Sequence, residues 1–213
     1  MIGLWSSDDT ECEDLSVSRG GRLLLSGLNF DVLPSETLVL AGPNGLGKTS
    51  LLRTLAGLQP QAGGEIITQN ETAVYAGHAD GLKAGLSVIE NLRFWADIFA
   101  SRHRLTDALE QFDLSKLKNR LAGRLSAGQK RRLGLARLVL SERPLWLLDE
   151  PTVSLDEPSR QGFYKTLQTH FDAGGGAVIV SHTPLALARA PKVMDLSLFE
   201  AQGFVTTEVD AFL

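Results

Sequence analysis

Gly42-Pro43-Asn44-Gly45-Leu46-Gly47-Lys48-Thr49-Ser50 decides how the rest of this chain is read. The nine residues contain the full pattern G-x-x-x-x-G-K-[ST]. Just before them, Thr37–Ala41 (TLVLA) reads as a short buried strand; residues 49–56 (TSLLRTLA) read as a helix with leucines at helical spacing. A strand, a glycine turn and a helix start are the parts of a phosphate cradle. Gly42, Gly45 and Gly47 permit positive φ and carry no Cβ, so backbone N–H groups can converge on a phosphate. The helix start adds its positive dipole end and its unpaired amides. Lys48 is placed to reach β- and γ-phosphates, and the Thr49 hydroxyl to ligate Mg²⁺. A glycine-rich turn that binds nothing is the competing reading; four motif positions and both flanking elements speak against it.

The surrounding chain is long enough to carry such a site. Its 213 residues, 43% hydrophobic and 22% charged, suffice for one large α/β domain, or one core plus an insertion. A net charge of −4 without any basic run argues against nucleic acid as a main partner. Cys12 is the only cysteine, so neither an internal disulfide nor a cysteine metal site is expected, which suits a reducing cytosol. The first fourteen residues are acidic and lack the basic and apolar regions of a signal peptide. No uncharged apolar run approaches the ~20 residues that span a bilayer. Work at a membrane would need another chain to hold this one there.

Upstream of the glycine turn, residues 15–17, 22–25 and 28–32 read as antiparallel strands with a Gly20-Gly21 turn between the first two. Downstream, residues 65–68 and 72–76 read as two more. From 78 to 140 the texture is helical and predicts an insertion in the α/β core. Ser87-Val88-Ile89-Glu90 is a capping box, and Val88, Leu92, Trp95 and Phe99 share one face. Residues 105–114 form a second amphipathic stretch, and Ser126 caps a third helix. The core then resumes with residues 144–150, a strand apolar on both faces, a crossover helix over 159–171 and a buried strand over 177–181. A short helix over 184–190 and a late strand over 193–199 complete the expectation.

Two more stretches carry chemistry. Asp149-Glu150 follows a central strand at its carboxyl end, where open α/β sheets bind ligands. Asp149 can hold Mg²⁺ through water, and Glu150, one residue further out, can orient and deprotonate an attacking water. In Leu125-Ser126-Ala127-Gly128-Gln129 a hydroxyl, bare amides and a positive helix end face outward together, a second anion site without a lysine. The bland alternative is a Ser-capped helix with a basic solvent face at Lys130-Arg131-Arg132.

Leu125–Gln129 resembles the L-S-G-G-Q signature of ATP-binding cassette (ABC) ATPases. The resemblance extends over nearly the whole chain: the P-loop at 42–49, the signature at 125–129, a Walker B strand at 145–150, a D-loop-like Ser154-Leu155-Asp156 and a switch histidine, His182. It implies a single P-loop NTPase cassette over 1–213, with a mixed central sheet flanked by helices, an antiparallel β subdomain and a helical insertion over 78–140. It implies ATP and Mg²⁺ as cofactors, bound by residues 42–50 with Thr49 and Asp149 on the metal. It also implies a head-to-tail dimer with a second ATP-binding subunit, in which Ser126, Gly128 and Gln129 cap the ATP of the opposing P-loop. Glu150 and His182 would be catalytic.

Two departures stand out. Where the family has a glutamine touching Mg²⁺ and water, this chain reads Tyr75-Ala76-Gly77-His78, which makes His78 a candidate substitute. Where an aromatic usually meets adenine, Arg19 stands, whose guanidinium can stack on a base. Both departures, together with Gly81-Leu82-Lys83 and Arg19-Gly20-Gly21-Arg22, resemble the ATP-binding subunits of cytochrome c maturation, the heme exporter ATPases. That resemblance implies a multispanning permease partner, a place on the cytoplasmic face of the bacterial inner membrane, and an indirect link to heme or a heme chaperone. Phe94, off the apolar stripe, is the expected docking residue, and Trp95 is expected in the core. The competing function is mechanical: ATP-driven release of a membrane-bound heme chaperone without solute transport, or service to another substrate.

Overall fold

The period-two alternation upstream of the glycine turn becomes two long strands in the computed structural model, which describes residues 10–68 and 73–201. Strand β1 (Thr10–Arg19) turns at Gly20-Gly21 into β2 (Arg22–Val32), paired antiparallel. The expected break between 25 and 28 is a bulge within β2. Gly27 takes a φ of 72°, the Asn29 amide donates to the Gly27 carbonyl at 3.0 Å, and Asp14 N–H donates back to Asn29 Oδ1 at 2.9 Å. Then come β3 (Thr37–Ala41), α1 (Lys48–Leu55), β4 (Gly63–Ile67) and β5 (Ala73–Ala76). The helical block comprises α2 (Val88–Ile98), α3 (Leu105–Gln111) and α4 (Ala127–Ser141). The chain continues through β6 (Leu145–Asp149), α5 (Glu157–Asp172), β7 (Gly176–Val180) and β8 (Lys192–Asp195).

Among the described residues the strands form two sheets: an antiparallel one in the order β2-β1-β4, and a parallel one in the order β5-β6-β7-β3-β8. The parallel sheet is buried on both faces, as its apolar runs require. Leu145 and Leu147 join Val178 and Val180 in a cluster with α1 and the antiparallel sheet. Trp146 and Leu148 join Ala177 and Ile179 in a second cluster beneath α4 and α5. The phosphate loop thus lies toward one face of the sheet and α4 on the other, with the carboxyl end of β6 between them. Cys12 is buried in the first cluster, and burial pushes its thiol up to about 12.

Two expected elements differ. Residues 184–190 form no helix. Eight residues bounded by Pro184 and Pro191 make a marginal helix, and Leu185 and Leu187 both pack on the core at a spacing that suits extended chain. The late strand stops at Asp195, whose carboxylate accepts from Ser197 N–H at 3.0 Å and folds 196–199 into a 3₁₀ turn. Among the described residues no helix is long and apolar enough to cross a membrane.

At the far end of the parallel sheet, His170 stacks on Trp146 with ring centroids 3.9 Å apart and donates through Nε2 to the Gly176 carbonyl at 3.1 Å. A Cβ at Gly175 would fall 2.1 Å from this ring, so the glycine loop is shaped by the histidine. Burial lowers the His170 pKa to about 4, against an ordinary 6.5. Between those values the unfolded chain binds the extra proton, so stability is complete above pH 6.5 and falls as pH drops toward 4. The loss is roughly 3 kcal/mol. His170→Phe is expected to flatten the acid limb of a melting-temperature profile; an unchanged limb would place the acid sensitivity elsewhere.

Candidate active site

The turn after β3 supplies the loop. Gly42, Gly45 and Gly47 take φ values of 131°, 85° and 112°, a region that side chains enter only with strain. At Gly42 a Cβ would also meet Leu46 Cδ2 at 2.8 Å. Gly47 is the N-cap of α1, and among the described residues no side chain caps the first amides of the helix, which lie at the loop. Lys48 is buried, and its ammonium donates to the carbonyls of Gly42 at 2.6 Å and Pro43 at 3.0 Å.

Opposite the loop stands the carboxyl end of β6. Asp149 Oδ2 accepts from the Thr49 hydroxyl at 2.8 Å and from the Tyr75 phenol at 3.3 Å. Burial, reinforced by the Asp149 charge, pushes the Tyr75 phenol up to about 12, so it stays a donor. Glu150 takes the left-handed φ of 50°, a conformation costing about 1–2 kcal/mol for a residue with a Cβ. Its N–H is tied to the Val180 carbonyl at 3.0 Å. Its Oε1 is buried without a hydrogen-bond partner among the described residues; His182 Nε2 lies 3.2 Å away, at ion-pair distance but off the hydrogen-bonding axis.

A cleft of about 410 Å³ joins these groups. Lys48, Thr49, Asp149 and Glu150 line it together with His78, His182 and Arg19. Asn44, Gly45, Gly47 and Ser50 form its loop side, and Leu24 and Val180 add apolar lining. Gly42, Pro43 and Leu46 stand behind it, the first two through their carbonyls on Lys48 and the third by packing into the core. Loop amides and a buried ammonium fit a polyphosphate. A hydroxyl beside a carboxylate fits a hard cation such as Mg²⁺, which prefers oxygen ligands.

Ser126, Gly128 and Gln129 do not line this cleft. Ser126 and Gln129 form a capping box: Ser126 Oγ accepts from Gln129 N–H at 3.2 Å, and Gln129 Oε1 accepts from Ser126 N–H at 3.0 Å. The cap uses a lone pair of the serine and leaves its O–H as a donor. Gly128 is pressed under the Ser154 carbonyl, which a Cβ would meet at 2.8 Å. Asp156, two residues on, caps α5 through Ser159 N–H at 3.0 Å.

One residue beside the site was not singled out from the sequence. Arg131, in the Lys130-Arg131-Arg132 triplet that the bland alternative placed on a solvent face, is buried beneath the turn that carries Asp149 and Glu150. The signal was its spacing: 131, 135 and 138 fall on the inward stripe of α4, and Leu135 and Leu138 are core. Arg137, also turned inward, donates to the Tyr75 carbonyl at 2.9 Å and lies over the Trp95 ring at 5.4 Å.

A glycine cradle over an uncapped helix, a hydroxyl–carboxylate pair across from it and a capped signature helix on the same chain define a cassette-type P-loop ATPase. The family model described as ABC transporter matches residues 25–153. The chain is 53% identical to the cytochrome c biogenesis ATP-binding export protein CcmA of Roseobacter denitrificans, over 89% of this chain and 91% of that one. It is 54% identical to the CcmA of Paracoccus denitrificans, over 88% and 89%. A solved ABC transporter ATP-binding protein from Pyrococcus furiosus superposes with a TM-score of 0.79 at 26% identity, covering 91% of this chain and all of that one. The dimeric ATP-binding cassette MJ0796, bound to ADP and Pi, shares the fold with a TM-score of 0.73 at 21% identity, covering 82% and 88%. The chain belongs to the ABC transporter family, in the branch of the CcmA proteins. It is an ATP-binding, ATP-hydrolysing subunit.

Proposed function

We propose that this subunit works as a nucleotide-sandwich dimer with a second copy of itself, and that ATP turnover in the dimer drives a permease in heme export or c-type cytochrome biogenesis. The carrying observation is the split site. Ser126 and Gly128 lie at the start of α4, where a helix presents its positive end, yet they stand outside the cleft that holds Lys48 and Glu150. In this reading Lys48 and the loop amides hold the β- and γ-phosphates, Glu150 takes the proton of the attacking water, and His182 supports Glu150. Thr49 and Asp149 would hold Mg²⁺, which supplies charge neutralisation on the phosphates when bound. The Ser126 hydroxyl and the Gly128 amide of the partner close over the γ-phosphate, so closure depends on ATP.

The permease side of the proposal rests on α2, within the 78–140 insertion of a single cassette. Phe94 and Ile98 are 42% and 55% exposed on it, and Lys83 lies 5.1 Å over the Phe94 ring. Trp95 is half-buried and stacked on Phe99. Exposed aromatic and aliphatic side chains beside a cation suit a groove for a cytoplasmic helix of a membrane partner. The chain then sits peripherally on the cytoplasmic face of the inner membrane, and the CcmA relatives point to cytochrome c biogenesis as its setting.

Subunit mixing tests the split site. Lys48→Ala disables the cradle and Gly128→Asp the signature, so either variant alone is expected to be inactive. Mixed, they form dimers with one intact composite site. Random pairing then restores up to about a quarter of wild-type turnover. A mixture as inactive as its components would rule out site sharing. Reconstitution with the permease in vesicles, following heme across the bilayer, tests the cargo; turnover without accumulation would favour mechanical release of a chaperone.

A further inference from the structure

An arginine side chain carries five N–H donors in a rigid planar fork. In Arg131 every one has an acceptor. Nε donates to the Pro151 carbonyl at 3.1 Å. Nη1 donates to the Gly77 carbonyl at 2.7 Å and to Asp80 Oδ1 at 3.1 Å. Nη2 donates to the carbonyls of Asp149 at 3.1 Å and Glu150 at 2.8 Å. Four of the five are backbone carbonyls of the two loops that carry Glu150 and His78. The fifth is the counter-charge that lets a guanidinium be buried at all. Asp80 in turn rests against Gly134, one turn further along α4, where a Cβ would come within 2.7 Å of it.

The aim of Glu150 depends on this arrangement. Among the described residues no side-chain hydrogen bond fixes Oε1, so beside the ion-pair contact with His182 at 3.2 Å its direction is set by the backbone. That backbone is in a strained left-handed conformation, pinned before the residue by N–H to Val180 and after it by C=O to Arg131. Arg131 also stands one turn inside the helix that begins with Ser126 and Gly128. A displacement of that helix start therefore reaches the chain's own Glu150 through a single side chain.

We infer that Arg131 is a positioning residue for ATP hydrolysis, holding Glu150 in its strained, productive pose and linking the signature helix of a chain to that chain's own catalytic turn. This rests on the general-base role of Glu150 and, for the link between half-sites, on the shared-site dimer. A lysine keeps the charge but offers three donors from one point, so it cannot serve both loops. Arg131→Lys is expected to lower kcat on the order of 10²-fold, near the lower end of what a general base contributes, with ATP affinity kept within about threefold. Asp80→Asn keeps an acceptor and removes the charge; Gly134→Ala displaces Asp80 without touching the arginine. Both are expected to lower kcat about tenfold in the same pattern, and by more than the loss in melting temperature that disturbing a buried ion pair brings.

Wild-type kcat in Arg131→Lys would overturn the inference. So would losses in kcat across the three variants that simply follow their losses in melting temperature and ATP affinity. The mixing experiment separates the link from the dimer reading. In the Lys48→Ala plus Gly128→Asp mixture, the working site uses the Glu150 of the Gly128→Asp chain. Adding Arg131→Lys to that chain is expected to abolish the restored turnover; adding it to the Lys48→Ala chain is expected to leave most of it. The reverse pattern would make Arg131 a support of the signature helix only. Absence of restored turnover before Arg131 is changed would instead indict the shared site and leave the kcat measurement standing.

Discussion

Glu150→Gln should bind ATP as well as the wild type, hydrolyse it on the order of 10²–10⁴-fold more slowly, and accumulate as an ATP-bound dimer. The substitution keeps the Cβ, the length and the strained backbone, and removes only the ability to take a proton. The Glu150 N–H to Val180 and the Arg131 bond to its carbonyl are untouched, so the turn stays in place. In the proposed dimer closure depends on the γ-phosphate and proceeds, while reopening depends on losing it and does not. Single-turnover hydrolysis and size-exclusion chromatography with and without ATP measure the two halves of this expectation. Turnover within threefold of wild type would shift the base role to another group. His182, 3.2 Å from Oε1, is the obvious one, and His182→Ala would then carry the larger loss.

Lys48→Ala should remove nucleotide binding. The ammonium is buried, is anchored by two carbonyls inside the loop, and stands at the mouth of a cradle otherwise made of partial charges. Two unit charges 4 Å apart interact by about 4 kcal/mol at an effective dielectric of 20, close to 10³-fold in affinity. The loop amides share the phosphate but carry no full charge, so they do not replace that term. Lys48→Arg is not a conservative control, because a planar guanidinium does not reproduce the compact ammonium held by the Gly42 and Pro43 carbonyls. Equilibrium binding of a fluorescent ATP analogue, with melting temperature followed in parallel, decides the matter. Affinity within tenfold of wild type in a normally folded variant would remove Lys48 from the site.

Most of the site could be read from the chain because it is written in short, contiguous pieces. The loop, the Asp149-Glu150 pair and the Ser126 cap are each local in sequence, and each has a local physical reason. What lay beyond reading was long-range. Arg131 bonds to residues 18 to 54 positions away, and the Lys130-Arg131-Arg132 triplet gives no hint of which arginine turns inward until the helix stripe is laid over it. The same holds for Tyr75, which reaches Asp149 across 74 residues. Among the elements, α1 to α5 and strands β3, β5, β6 and β7 followed from periodicity and caps, whereas β8 is cut short by the turn at Asp195. Residues 184–190 did not follow, because leucines at 185 and 187 packing on the core decided against a helix whose propensity alone looked adequate.

The buried Cys12 has a practical corollary. Its sulfhydryl is 2% exposed and stays protonated far above neutral pH, so alkylating reagents that attack thiolates will pass it by. New cysteines introduced at exposed positions such as Val193 or Leu198 can therefore carry fluorophores or spin labels with Cys12 left in place. Distances between such labels, followed through a turnover cycle, would report motion in an otherwise unaltered polypeptide.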